Sequence, residues 1–162
     1  MKPKVFFSLV ILSLILHSCN SEKREIKGVW IDQYVSKADI HYIFERDGTY
    51  THLDYGPASS KGGKWIFRNG SIGYYKYIGN REFNLYQIDI DISSIVGLPV
   101  TTPEYGIYLN KALKSSTKPD FDSVESSYLA QIQDDGEHLH ILQNDDILIE
   151  LKRKHIKFGD KR

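Results

Sequence analysis

The feature that most limits the fold of this chain is a rhythm. Short runs of alternating apolar and polar residues recur from residue 28 to residue 153, cut by Gly, Asn and Asp. Alternation with period two puts one set of side chains on one face of a strand and the rest on the other. Many such runs without interleaved helices point to an antiparallel all-β domain. Cys19 is the only cysteine, so no disulfide can form within the chain and the core alone must hold it. The 11 Tyr, 7 Phe and 2 Trp supply bulk for that core.

The turns set the expected registers. Ile40 to Glu45 and Thr49 to Leu53 flank Asp47-Gly48, a strong hairpin signal because Gly takes a positive φ at little cost. With those two as the loop, Phe44 faces Thr51 and Tyr42 faces Leu53, and Ile40, Tyr42, Phe44 and Leu53 share the inward face. His41 and His52 then lie diagonally on the outer face. An Asn69-Gly70 turn pairs Phe67 with Ile72 and Trp65 with Tyr74, a second aromatic face. Glu82 to Ile92 is out of phase with itself, which predicts a bulge or a change of partner near Tyr86-Gln87. Asp135-Gly136 pairs Ile132 with Leu139 and Ala130 with Ile141. For Leu139 and Ile141 to join Ile147, Ile149 and Leu151, the loop Asn144-Asp145-Asp146 must have odd length.

Residues 93–123 break the rhythm and read as an insertion. Thr102-Pro103-Glu104 is a helix start: an N-cap, a proline at the first helical position and an acid near the positive helix end. Tyr105, Tyr108, Leu109, Ala112 and Leu113 follow at the spacing of one helical face, so one inserted helix is expected around 103–114.

The N-terminus carries an address. Lys2 and Lys4 precede an apolar run from Val5 to Leu16, about 18 Å long as a helix and too short for a hydrocarbon core of roughly 30 Å. It fits a signal segment better than a permanent span. Leu16-His17-Ser18-Cys19 resembles the lipobox of bacterial lipoproteins, with His17 in place of the usual small residue. The resemblance implies a signal peptide over 1–18, lipidation at Cys19 and a short tether over 19–25. It also implies a lipid-anchored protein of the cell envelope. Asn20 is not the Asp that holds some lipoproteins at the inner membrane, so the outer membrane is expected.

The strand motifs carry a second resemblance. Gly28-x-Trp30, Phe44-Glu45-Arg46-Asp47-Gly48-Thr49-Tyr50, Gly63-x-Trp65 and a closing aliphatic strand look like the lipocalin-like lipoprotein domains of bacterial envelopes. That similarity covers about 26–92 and 125–153. It implies an antiparallel up-and-down β-barrel of about eight to ten strands over 26–162. In lipocalins a first-strand Trp closes the barrel bottom beneath an Arg near the chain's end; Trp30 and Arg153 fill those positions here.

Function is bounded more than named. Loss of residues 1–18 removes Lys2 and Lys4 from a balanced 21 basic and 21 acidic residues, leaving a net charge of −2. No basic field recruits nucleic acid. No G-x-S-x-G, H-E-x-x-H or C-x-x-C motif is present, so neither an enzyme nor a cofactor is expected. His138 and His140 share a strand face opposite Glu150, a candidate zinc set, but an exposed polar face explains them more simply. Asp89-x-Asp91 falls short of a calcium site, which needs six to eight oxygens. The expectation is a binding module for a small apolar or amphipathic ligand, contacted by Tyr42, Phe44, Trp65, Phe67 and Tyr74. The alternative is a filled barrel that recognises another protein as an inhibitor, immunity or envelope-assembly factor.

Overall fold

The computed structural model describes residues 25–32, 39–58, 64–102 and 104–155. The signal segment, Cys19 and the tether before Glu25 lie outside the described residues, as do Pro103 and the end of the chain. The described strands are β1 (Gly28–Asp32), β2 (Asp39–Phe44), β3 (Thr49–Pro57), β4 (Trp65–Gly79), β5 (Glu82–Ile88), β6 (Tyr128–Ile132), β7 (His138–Gln143) and β8 (Asp146–Arg153). Each is antiparallel to its neighbour, and β8 pairs with β1 to close the barrel. The expected up-and-down barrel is therefore present, with eight strands and one helix, α1 (Glu104–Ser115).

Trp30, Tyr42, Phe44, Tyr50, Tyr75, Phe83, Leu85, Ala130, Ile132, Leu139, Ile141 and Leu151 meet inside the barrel. They come from alternate positions of every strand, as the pleat requires. Large side chains fill the end where β1 begins and β8 ends, and that end is closed. At the other end, where β3 finishes and β4 starts, the connections 33–38 and 59–63 lie outside the described residues.

A second layer covers the outer wall. After Ile88 the chain leaves the sheet, and residues 89–115 cross the outside of β2 to β5. Leu109 and Ile95 are buried there against Leu53, Tyr55, Phe67 and Ile72. The helix stripe read from the sequence, Tyr105, Tyr108, Leu109, Ala112 and Leu113, is the stripe that faces the barrel. The Tyr105 ring stacks on Phe67 at 5.3 Å and meets the Tyr55 edge at 5.4 Å. Each fully covered aliphatic or aromatic side chain contributes about 1.5–3 kcal/mol.

Three expectations are corrected. First, Asn69-Gly70 is not a turn. Residues 65–79 form one strand, because β3 continues to Pro57 and pairs with β4 along its whole first half. The register shifts between Asp54 and Tyr55, leaving Arg68 as an extra residue. Gly70 is needed for close approach: a Cβ there would sit 2.8 Å from Phe67 Cζ and 2.9 Å from the His52 carbonyl oxygen. β4 outruns β5, so its first residues need another partner, since buried backbone groups must be bonded. The insertion supplies it: Phe67 N–H donates to Leu98 O and Gly97 N–H to Phe67 O, each at 2.8 Å.

Second, the first hairpin is offset by one residue. Phe44 pairs with Tyr50 and Tyr42 with His52. The loop is the three residues Arg46-Asp47-Gly48, closed by Glu45 N–H to Thr49 O at 2.9 Å, with Gly48 at φ 89°. Three-residue loops with a left-handed Gly are a common alternative to the two-residue turn. The offset turns Leu53 outward, where the insertion buries it, and turns His52 inward.

Third, the β7–β8 loop is even. Asn144 and Asp145, at φ 52° and 67°, form a two-residue turn between Gln143 and Asp146. Parity is restored by a register shift between Ile141 and Leu142. Leu139 therefore still faces Leu151 and Ile141 faces Ile149, while Ile147, on the turn side of the shift, stays 56% exposed. Of the two alternatives expected near Tyr86-Gln87 there is no bulge; the phase change is a change of partner, since the chain leaves the barrel after Ile88 and Ile90 and Ile92 pack with the insertion.

Candidate functional site

Of the five side chains expected to line the interior, Tyr42 and Phe44 do so. Trp65, Phe67 and Tyr74 do not. They share a face, as the sequence suggests, but it is the outer one. Phe67 lies beneath the insertion, Trp65 is 38% exposed at the start of β4, and Tyr74 is covered near the end of α1, its hydroxyl 3.5 Å from Ser116 Oγ. The bulge at Arg68 and the parity of β4 decide this: the inward positions of that strand are Ser71, Gly73, Tyr75 and Tyr77.

The closed end is built on Trp30. Its indole N–H donates to Ile26 O at 2.7 Å, and the Arg153 guanidinium carbon lies 4.2 Å from its ring centroid. Arg153 also donates to the carbonyls of Lys27 at 3.1 Å, Gly136 at 3.3 Å and Glu25.

Toward the end away from Trp30 the interior turns polar. The inward residues of β3 are Tyr50, His52 and Asp54, and opposite them on β4 stand Gly73, Ser71 and Asn69. Small residues on β4 make room for large ones on β3; a Cβ on Gly73 would sit 2.7 Å from Tyr50 Cε1. The His52 ring stacks on Tyr42 at 4.6 Å. Ser71 Oγ reaches His52 Nδ1 at a loose 3.4 Å. Tyr50 Oη, His52 Nε2 and Asp54 Oδ1 are all buried, and none has a hydrogen-bond partner of normal geometry among the described residues, Ser71 making only a weak approach to Tyr50.

Burial shapes the charge of this layer. It lowers His52 to about 4, so the imidazole is neutral at pH 7. It raises the Tyr42 and Tyr50 phenols, with Tyr128 close enough to add repulsion between phenolates, while Ser71 eases Tyr50 slightly. Burial also raises Asp54, and the Arg68 cation partly offsets this. Arg68 lies over Gly56 at the rim. A recess of about 350 Å³ opens where β5 parts from β4, lined by Asn69, Ser71, Gln87 and residues 88–92. Ser71 belongs to both the recess and the buried polar layer.

Sequence reasoning misses this layer because the one-residue offset in the first hairpin hides it. The two-residue loop puts His52 outside beside His41; His41 is indeed outside, 2.8 Å from Asp39. Tyr-x-His-x-Asp over 50–54 is the available signal, an unusual polar run for a strand flanked by aromatic partners. His140 pairs with Glu150 as expected, and His138 bonds to Asp135 at 2.5 Å. Among the described residues no three His, Cys, Asp or Glu side chains converge as metal ligands.

A second concavity lies outside the barrel. It measures about 620 Å³ and runs between the end of α1 and the β2–β3 turn, with Tyr74 and Leu113 among its walls.

Fold and site together define a closed eight-stranded antiparallel barrel with a packed base, a polar far half and a strapped outer wall. No family model, no curated protein and no solved structure matches the chain.

Proposed function

We propose that this is a non-enzymatic, lipid-anchored protein of the bacterial cell envelope whose barrel takes up a small amphipathic ligand at its polar far half. One observation carries the reading: three buried polar atoms on alternate residues of one strand, Tyr50 Oη, His52 Nε2 and Asp54 Oδ1, stand without hydrogen-bond partners of normal geometry among the described residues. A buried polar atom left unbonded costs about 1–3 kcal/mol. Three in register inside one barrel are an arrangement that a hydrogen-bonding guest relieves. Asp54 as a carboxylate only accepts, so the guest offers at least one donor, an amine or hydroxyl. Tyr42 gives it an aromatic edge. The packed base leaves no need for a long alkyl chain. The lipid anchor rests on the leader and on Cys19.

The rival reading, a module that grips another envelope protein, draws on the outer cleft beside Tyr74 and Leu113. Native mass spectrometry of protein released from its own membrane separates the two. The lead reading expects an acylated polypeptide carrying a small molecule, and loss of that molecule on His52→Leu with the circular dichroism spectrum retained. A bare acylated chain, or a small molecule that survives both His52→Leu and Asp54→Leu, overturns it.

A further inference from the structure

We infer that the barrel stands with its closed end against the bilayer and its polar mouth turned away, so that the guest arrives from water and is not drawn out of the lipid. This rests on the anchor proposed above and adds to it the side from which the site is reached.

The argument begins where the chain enters the barrel. Residues 25–27 are fastened across the closed end. Ile26 is fully buried in the core and its carbonyl accepts from Trp30. Arg153 holds the carbonyls of Glu25 and Lys27, and Arg81 Nε lies 3.6 Å from the Glu25 carboxylate. The tether thus leaves from a fixed point beneath Trp30, at the end opposite the polar layer.

From Glu25 back to Cys19 the chain spans at most about 20 Å when fully stretched. β3 climbs from Thr49 at the closed end to Pro57 at the far end. Its eight residue steps cover about 26 Å, and the tilt usual in barrels leaves about 20 Å along the axis. To press the far end on the headgroups, the tether would have to be stretched to its full reach along the whole wall, at the full cost in chain entropy. With the base down, no such extension is required.

Charge does not set this orientation. The base carries Arg46, Arg81 and Lys154 against Glu45, Asp47, Asp134, Asp135 and Glu137, a small acidic excess that gives no attraction to an anionic bilayer. Ile78, half exposed near the same end, gives the lipid an apolar contact. The site at the far end is then reached from water, which suits water-borne amphipaths with a donor group better than lipids drawn from the same bilayer.

The test uses the full acylated chain on vesicles of phosphatidylethanolamine and phosphatidylglycerol. Cys19 is capped by acylation, so one added cysteine labels cleanly. A fluorophore at Asp134→Cys reports the base and one at Gln143→Cys the mouth, both exposed positions. With lipids spin-labelled at the headgroup, quenching at the base is expected to exceed quenching at the mouth several-fold. The difference should persist at about 1 M salt, where the screening length is only about 3 Å. Equal or reversed quenching on protein that floats with the vesicles overturns the orientation alone. Failure to float, with the thiol of Cys19 free by mass spectrometry, overturns the anchor and the orientation together.

Discussion

Arg153 lies over the indole of Trp30, 4.2 Å from guanidinium carbon to ring centroid, while its nitrogens hold carbonyls of the entry segment and of Gly136. One side chain thus caps the core and ties the entry segment to the β6–β7 turn. Lysine cannot reproduce this, because a single ammonium has no planar fork to bridge carbonyls and stack at once. Arg153→Lys should lower stability by about 2 kcal/mol in urea unfolding, and Arg153→Ala by slightly more.

Two glycines should respond in opposite directions to the same methyl group. Gly73 lies where β4 passes under β5, and a Cβ there would be 2.1 Å from Tyr86 O. Backbone cannot yield by that much, so Gly73→Ala should cost about 3 kcal/mol or more. Gly106 sits within α1, and a methyl group added there would meet nothing within 4 Å. Gly106→Ala should raise stability by up to about 1 kcal/mol. Thermal unfolding of the two variants checks both.

The strand pattern, the helix and its buried stripe are legible in the sequence, because each depends on local periodicity. Ile132 facing Leu139 and His140 facing Glu150 follow from turns whose residue count is fixed by Gly136 and restored by a compensating bulge. What escapes is parity. Asp47-Gly48 fits a two-residue and a three-residue loop equally well, and the choice between them decides whether His52 faces solvent or the core. Asn69-Gly70 reads as a turn until the long β3 is there to pair with it. The expected Asn69-Gly70 hairpin puts Trp65, Phe67 and Tyr74 on one face; they do share one, but through the bulge at Arg68, and on the outer side of the wall. Only the insertion, which buries the outer face, makes that side apolar, and no local pattern announces it.

Acid should weaken the fold through His52. Its pKa falls from 6.5 in the unfolded chain to about 4 in the barrel. Between those values the unfolded chain binds the proton and the folded one does not, so stability falls as pH drops through that window. The loss is roughly 3 kcal/mol at about 1.4 per unit. Asp54, raised by burial, acts in the opposite sense at lower pH and offsets part of it. Urea unfolding of His52→Gln between pH 7 and 4 should show a shallower decline than wild type; an equal slope would refute the assignment.

The strap should be held chiefly by Leu109, the fully covered residue of α1. Leu109→Ala should cost about 2–4 kcal/mol, as other buried leucines do. Ile107, two residues away and 65% exposed, should change stability by less than about 0.5 kcal/mol when replaced by Ala. Hydrogen exchange should show faster opening of residues 95–115 in Leu109→Ala, with β7 and β8 unaffected, because the strap and the far wall share no packed side chains.

Removing one oxygen from either of two buried tyrosines should have opposite effects. Tyr75 Oη donates to Glu45 O at 2.5 Å, and burial raises its pKa to about 12. Tyr75→Phe breaks that bond and leaves the carbonyl wanting a donor, at a cost of about 1–2 kcal/mol. Tyr50 Oη makes no hydrogen bond of normal geometry among the described residues, with only a weak approach from Ser71. Tyr50→Phe keeps the ring that packs on Tyr42 and Phe44 and deletes only the orphaned hydroxyl, so the empty barrel should be unchanged or more stable by up to about 1–2 kcal/mol. If the hydroxyl is retained for a guest, the same variant should release the co-purified small molecule, a gain in stability set against a loss of binding. Calorimetry on both variants, before and after extraction of bound material, reads the two effects separately. A Tyr50→Phe barrel that is less stable than wild type after extraction would mean that the phenol already serves the protein itself.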